Sequence, residues 1–183
     1  MRKWIKRALV LTAALPAFAL CLWYALSFLN HVGELKAIAE RGNKSVASVE
    51  RVLYSLAVAG ETKEGLRSYA LRQAYASLVF DENPSSMLSR RANDALWYFA
   101  SNLHLRDQQV FGLWVECALY GCGRGLKEAA REYFGKELHN LSERELAGLV
   151  ALVKSPSIFK PGSERGEQRT NEILEKVRTQ DRE

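Results

Sequence analysis

Apolar positions recur at helical spacing along almost the whole chain. Between 45 and 59, Val46, Val49, Val52, Leu53 and Leu56 form one stripe; Gly60 and Gly65 bracket a break, and 66–79 resumes the period. The run Asp81, Glu82, Asn83, Pro84, Ser85, Ser86 is turn chemistry, and either serine is placed to cap the next helix. Positions 87–103 and 107–119 then read as two amphipathic helices rich in aromatic residues, among them Trp97, Tyr98, Phe99, Phe111 and Trp114. Further on, Ser142 and Glu145 make a capping box, after which Leu146, Leu149, Val150 and Val153 recur until Pro156 forbids continuation. No segment alternates like a strand for more than a few residues, so the pattern predicts a mainly α protein.

The N-terminus breaks this periodicity. Positions 8–29 carry no charged residue, and at 1.5 Å per residue such a run spans a bilayer core of about 30 Å. Arg2, Lys3, Lys6 and Arg7 precede it, which predicts a cytoplasmic tail over 1–7, a transmembrane helix over 8–29, and everything beyond Asn30 on the far side, with Trp23 and Tyr24 near that interface. The competing reading is a cleaved signal peptide. Leu20 is too large for the position before Cys21 in a lipoprotein cleavage site, and the apolar run continues past it, which favours an uncleaved anchor.

The anchor changes how the charge is read. The formal net charge is +5, but four cations and no acidic residue precede the membrane. The remainder is close to neutral and gives no reason to expect a nucleic-acid partner. About 150 residues follow the span, enough for one core and not for two. Of the three cysteines, Cys21 lies in the apolar run; Cys117 and Cys122 are close enough to bridge, although two small buried thiols are the plainer reading. No C-x-x-C or histidine pair suggests a metal, and nothing in the sequence requires a cofactor.

The stretch 119–161 places a Gly-rich turn (Gly121, Gly123, Gly125), Ala129 and Ala130, then Tyr133 and Phe134, expected to be buried between the helix they end and the one after Ser142, and Gly135 with Lys136, which fit a helix stop. It continues with Leu141, Glu145, Ala147, Leu149, Lys154, Pro156, Ser157 and Pro161. This order resembles the C-terminal half of the family 51 peptidoglycan glycosyltransferases, the polymerase domains of class A penicillin-binding proteins and monofunctional transglycosylases. The resemblance implies a reduced lysozyme-like α domain over 45–178 behind the anchor, in the bacterial inner membrane with its domain in the periplasm. Implied partners are the membrane, a lipid-linked peptidoglycan precursor or nascent glycan, and a cell-wall synthase. Whether a divalent cation takes part is left open. Arg169, Asn171 and Leu174 resemble the family's closing helix, and the charged tail after it suggests at most a monofunctional form.

Upstream, the likeness thins. Where the family has a helix led by Lys and closed by Asn before the Gly turn, this chain has Asp107 and Glu116 with the apolar positions kept. The family's R-K-x-x-E aligns with Arg90, Arg91 and Asp94, implying two cations for a pyrophosphate with a carboxylate nearby; the plainer reading is an ion pair between Arg90 and Asp94 on a solvated helix face. Of the Gln- and Thr-rich sugar-contact motif only Ser68, Gln73 and Leu78 remain, with Arg67 and Arg72 keeping the region attractive to anions. The family's catalytic base aligns best with Glu50, followed by Arg51 where the family has Asp and with Ala57 where it has His. The resemblance therefore nominates Glu50 and Asp94 as catalytic and Arg90, Arg91, Ser68 and Gln73 as substrate-binding. Two functions follow: a tethered module with weakened or lost catalysis that binds precursor, glycan or synthase, or an active monofunctional polymerase.

Overall fold

The computed structural model describes residues 2–79, 86–121 and 123–180, with side chains from Ala14 onward. Helix α1 (Arg2–Ser27) passes through a 3-10 turn (Leu29–His31) into α2 (Val32–Val46); α3 (Glu50–Gly60), α4 (Lys63–Leu78), α5 (Met87–His104) and α6 (Asp107–Cys117) follow. After the Gly-rich turn come α7 (Leu126–Phe134), a second 3-10 turn (Leu138–Asn140), α8 (Glu143–Lys154) and α9 (Glu164–Gln180). Among the described residues no strand forms; the sole β feature is an isolated bridge between Leu119 and Arg124. The protein is mainly α, as its periodicity predicts.

One N-terminal helix is long and apolar enough to cross a membrane. Leu15, Phe18, Leu20, Leu22 and Leu26 on α1 are all exposed in the isolated chain, as a lipid-facing surface requires. The end of the predicted span belongs elsewhere. Phe28 is fully buried, packed edge-on against Trp97 at 5.4 Å, so it is core and not bilayer surface.

Helix α6 is the hub. Val110, Phe111, Leu113, Trp114, Val115 and Cys117 are all buried, so it is apolar on every side and not amphipathic as its sequence suggests. Its main neighbours are α2 and α4. Against α2 the two backbones nearly touch: a Cβ on Gly112 would lie 2.1 Å from the Ala39 carbonyl oxygen, and one on Gly42 would lie 2.0 Å from that of Gly112. The second layer is α3 packed on α8 and α9. Arg169 of α9 donates to the Gly60 carbonyl at 2.7 Å, satisfying an acceptor that the end of α3 leaves open.

The single helix expected over 45–59 is two. Val49 (φ −123°, ψ 7°) breaks it, and the turn at 47–49 lets α2 stay on α6 while α3 swings toward α8 and α9. The stripe is split accordingly: Val46, Leu53 and Leu56 are buried while Val52 is 40% exposed.

The motif-rich stretch folds as its chemistry dictates. Ser86 caps α5 by accepting from the Ser89 amide; the rest of the 81–86 turn lies outside the described residues. Gly135 ends α7 in the left-handed region (φ 63°), its amide donating to the Arg131 carbonyl at 3.0 Å. Tyr133 and Phe134, expected to be buried between α7 and α8, are half-buried. Phe134 packs beside Gly148 of α8, and the Tyr133 hydroxyl donates to the Tyr120 carbonyl at 3.1 Å. Cys117 is a buried free thiol, with burial raising its pKa to about 11; Cys122 lies outside the described residues, and with it the bridge considered above.

Lys136 and Glu145 meet. Lys136 Nζ donates to Glu145 at 2.6 Å, while the Ser142 amide and hydroxyl donate to the other carboxylate oxygen at 2.8 and 2.9 Å. The capping box is thereby extended into a clamp between the end of α7 and the start of α8.

Two predictions follow from these contacts. In a helix, Gly→Ala ordinarily stabilises by roughly 0.5–1 kcal/mol, and Gly33, with open space around its Cβ position, should show that gain. Gly112→Ala should instead lower stability by about 1–3 kcal/mol or more, because backbone atoms cannot move aside as side chains do; thermal unfolding of both variants reads the difference. The Lys136 hydrogen bond, followed by those from Ser142, holds the Glu145 pKa at about 2. Because the folded value lies below the unfolded one, the clamp contributes fully above about pH 4.3 and is lost as pH falls toward about 2. Glu145→Gln should therefore lower the melting temperature at pH 7 and flatten its decline below about pH 4.3.

Candidate functional site

Helix α5 is divided lengthwise by the period of 3.6. Asn93, Trp97, Ala100 and Ser101 form its buried face. Arg90, Asp94 and Arg91 fall in that order around one side of the helix, within about 100° of arc, and all three are exposed. Asp94 therefore lies between the two cations. Arg90 and Asp94 both act electrostatically on Tyr75 of α4, which places this polar flank along the α4 side of α5. Burial, with the Asp94 charge adding to it, raises the Tyr75 pKa.

The other nominated residues lie elsewhere. Helices α4 and α5 run antiparallel: Arg67 donates to Ser101 at 3.0 Å, and Asn93 to the Tyr75 hydroxyl at 3.0 Å. Ser68 shares the Tyr75 stripe but sits two turns away, level with the C-terminal half of α5. Gln73 is turned about 140° from Ser68, and its carbonyl accepts from Arg124 at 3.3 Å. Glu50 is the first residue of α3 and accepts from Gln108 Nε2 at 3.1 Å, at the start of α6. The end of α5 that leads into α6 is His104, about 15 Å along the helix axis from Asp94. The fold gathers Arg90, Arg91 and Asp94 on one flank and leaves Glu50, Ser68 and Gln73 apart from them.

Arg67 is not available to a ligand. It is buried, and its guanidinium is shared between Ser101 at 3.0 Å and Asp107 at 2.7 Å. The acidic residue found where the resemblance leads one to expect Lys is thus the partner of a buried cation. Arg72 is exposed and remains on the surface.

Asn93 is the polar residue that sequence reading passed over. Its Oδ1 accepts from Trp23 Nε1 at 3.1 Å and Ser27 Oγ at 3.3 Å, while its Nδ2 donates to Tyr75. Ser27 also accepts from Trp97 Nε1 at 3.2 Å, and Tyr24 bonds to His104. The end of the anchor is hydrogen-bonded to the helix that carries the cations. Its position in the buried period with Trp97 and Ala100 was the available signal.

The family pattern described as Transglycosylase matches residues 43–178. The chain belongs to the transglycosylase family. Penicillin-binding protein 1A of Pseudomonas aeruginosa is 27% identical over 154 residues, covering 82% of this chain and 17% of the relative. The Streptococcus pneumoniae protein of the same name is 28% identical over 116 residues, covering 61% and 16%; that of Haemophilus influenzae is 31% identical over 91 residues, covering 48% and 11%. The chain spans less than a fifth of the length of each of these relatives. It is a membrane-associated member of the transglycosylase family with a mainly α-helical domain.

Arg67→Ala should lower stability by about 1–3 kcal/mol, since it empties a buried position and removes a charged hydrogen bond to Ser101, whose hydroxyl still donates to the Tyr98 carbonyl, while the lost pair with the exposed Asp107 adds little. Arg72→Ala, on the exposed surface, should change it by less than about 0.5 kcal/mol. Denaturant titration of the two variants checks this.

Proposed function

We propose that this transglycosylase-family chain is a single-pass, membrane-tethered module with its N-terminus in the cytoplasm and its domain in the periplasm. It holds the pyrophosphate of a lipid-linked peptidoglycan precursor on Arg90 and Arg91 and has weakened or lost the transfer reaction. An inverting transfer of this kind needs a general base at the acceptor hydroxyl and cations on the departing pyrophosphate. The cations and Asp94 share one flank of α5, which supports the binding half of this reading. The observation that carries the other half is the position of Glu50. It is engaged by Gln108 at the α3–α6 junction, removed from that flank.

The bond to the membrane end of the chain fits this role. Through Asn93 and Trp97, α5 is fastened to Trp23 and Ser27, so its cations are presented at the surface where a lipid-linked pyrophosphate would lie.

Purified full-length protein and lipid-linked disaccharide test both halves. Arg–phosphate hydrogen bonds contribute about 1.5–3 kcal/mol each, so Arg90→Ala with Arg91→Ala should weaken precursor binding by about tenfold or more. Glu50→Gln should leave binding unchanged, and no glycan polymer should accumulate beyond a trace. Polymerisation abolished by Glu50→Gln would establish an active polymerase instead. Absence of precursor binding in the parent chain would leave contact with a synthase as its role.

A further inference from the structure

The connection from α8 to α9 is pinned into one shape by its own backbone. The Ser155 carbonyl accepts from the Ile158 and Phe159 amides at 3.0 and 2.9 Å, and the Ser163 amide and hydroxyl both donate to the Lys160 carbonyl, at 3.0 and 2.7 Å. Gly166 lets the first turn of α9 close on this loop, since a Cβ there would lie 2.1 Å from the Lys160 carbonyl oxygen. Between the loop and α9 a groove of about 510 Å³ is left open, a volume typical of ligand sites.

The two walls of the groove differ. The loop contributes apolar surface: Ile158 is 42% exposed, and Phe159 is half-buried against the core. Helix α9 contributes Arg165, Gln168, Arg169 and Glu172, which share one face of the helix, and Lys154 closes the end nearest α8. Three cations and one carboxylate therefore line it, and two of the cations are already engaged. Lys154 holds Glu61 at 2.9 Å, and Arg169 is divided between Glu172 at 3.0 Å and the Gly60 carbonyl at 2.7 Å. Arg165 is exposed, and its guanidinium makes no ion pair or hydrogen bond with any described residue. The uncompensated charge of the groove thus sits at one end, beside the apolar wall.

We propose that this groove docks an acidic segment of a partner protein, with a carboxylate on Arg165 and a neighbouring aliphatic or aromatic side chain on Ile158 and Phe159. Arg165 to Glu172 covers about 10 Å of helix axis, the length of about three residues of extended chain. A peptide supplies both groups in adjacent residues, and a wall already held in shape spares the ordering that binding otherwise costs. A symmetric pairing of this face with a second copy would set like charges against each other. None of the lining residues lies on α5, so the docking site stands apart from the precursor reading.

The test selects a phage-displayed library of random heptapeptides on the full chain in lipid nanodiscs, then measures the selected peptides by fluorescence anisotropy at low and high salt. Enriched peptides should carry Asp or Glu next to a large apolar residue, and their binding should weaken as salt rises. Arg165→Glu should weaken it by about fivefold or more and Ile158→Ser by about threefold or more. Arg178→Glu, the same charge change on another exposed face of α9, should leave it within about twofold; all variants used melt like the parent. No enrichment, enrichment without an acidic bias, or an Arg165→Glu effect no larger than that of Arg178→Glu would overturn the proposal. Displacement of the selected peptides by soluble peptidoglycan fragments would overturn it in favour of glycan, and a dimer of the full chain broken by Arg165→Glu would do so in favour of a second copy.

Discussion

The backbone contact of Gly42 with Gly112 sets the rest of the architecture, because it joins the continuation of the membrane helix to a helix whose central turns are buried on every side. Helix α2 reaches the domain directly from α1 through a single 3-10 turn. Seating α2 against α6 at backbone distance fixes the anchor relative to the core, and α6 in turn positions α4 and the Gly-rich turn that leads to α7. Two glycines facing each other allow an approach that no larger residue permits, and dispersion over that seam replaces what longer side chains would have supplied.

A second coupling reinforces the first. The anchor's last turns are hydrogen-bonded to α5 through Trp23, Tyr24 and Ser27, and Asn93 passes that connection on to Tyr75 of α4. A buried asparagine with both its oxygen and its nitrogen engaged is well matched to this place, since each unmade bond there carries the full desolvation penalty. Any ligand held by Arg90 and Arg91 would meet a helix already oriented by the membrane.

Local chemistry is strongest where α7 meets α8. In the clamp of Lys136 and Glu145, one residue lies just beyond a helix end and the other just inside the next helix start, and they hold the two together. The Arg67 guanidinium is engaged by Ser101 inside the fold and by Asp107 at its edge, so a position that looks anion-seeking by composition is structural.

Helix content, the apolar anchor, the caps at Ser86 and Ser142, the stop at Gly135 and the family likeness of 119–161 were all legible in the sequence by itself. Each depends on residues within a few positions of one another: period, capping geometry, a left-handed turn, a run without charge. The break at Val49, the all-round burial of α6, the Gly42–Gly112 seam and the engagement of Asn93 were decided only by tertiary structure. So was the composition of the candidate site. Arg90, Arg91 and Asp94 share a flank because they share a helix, which spacing reveals. Glu50 stands beside Gln108, 58 positions along the chain, because α3 is drawn toward α8 and α9 while α5 is drawn to the anchor. Contacts between distant segments follow from how helices fill space together, and the local pattern of either segment does not contain that information.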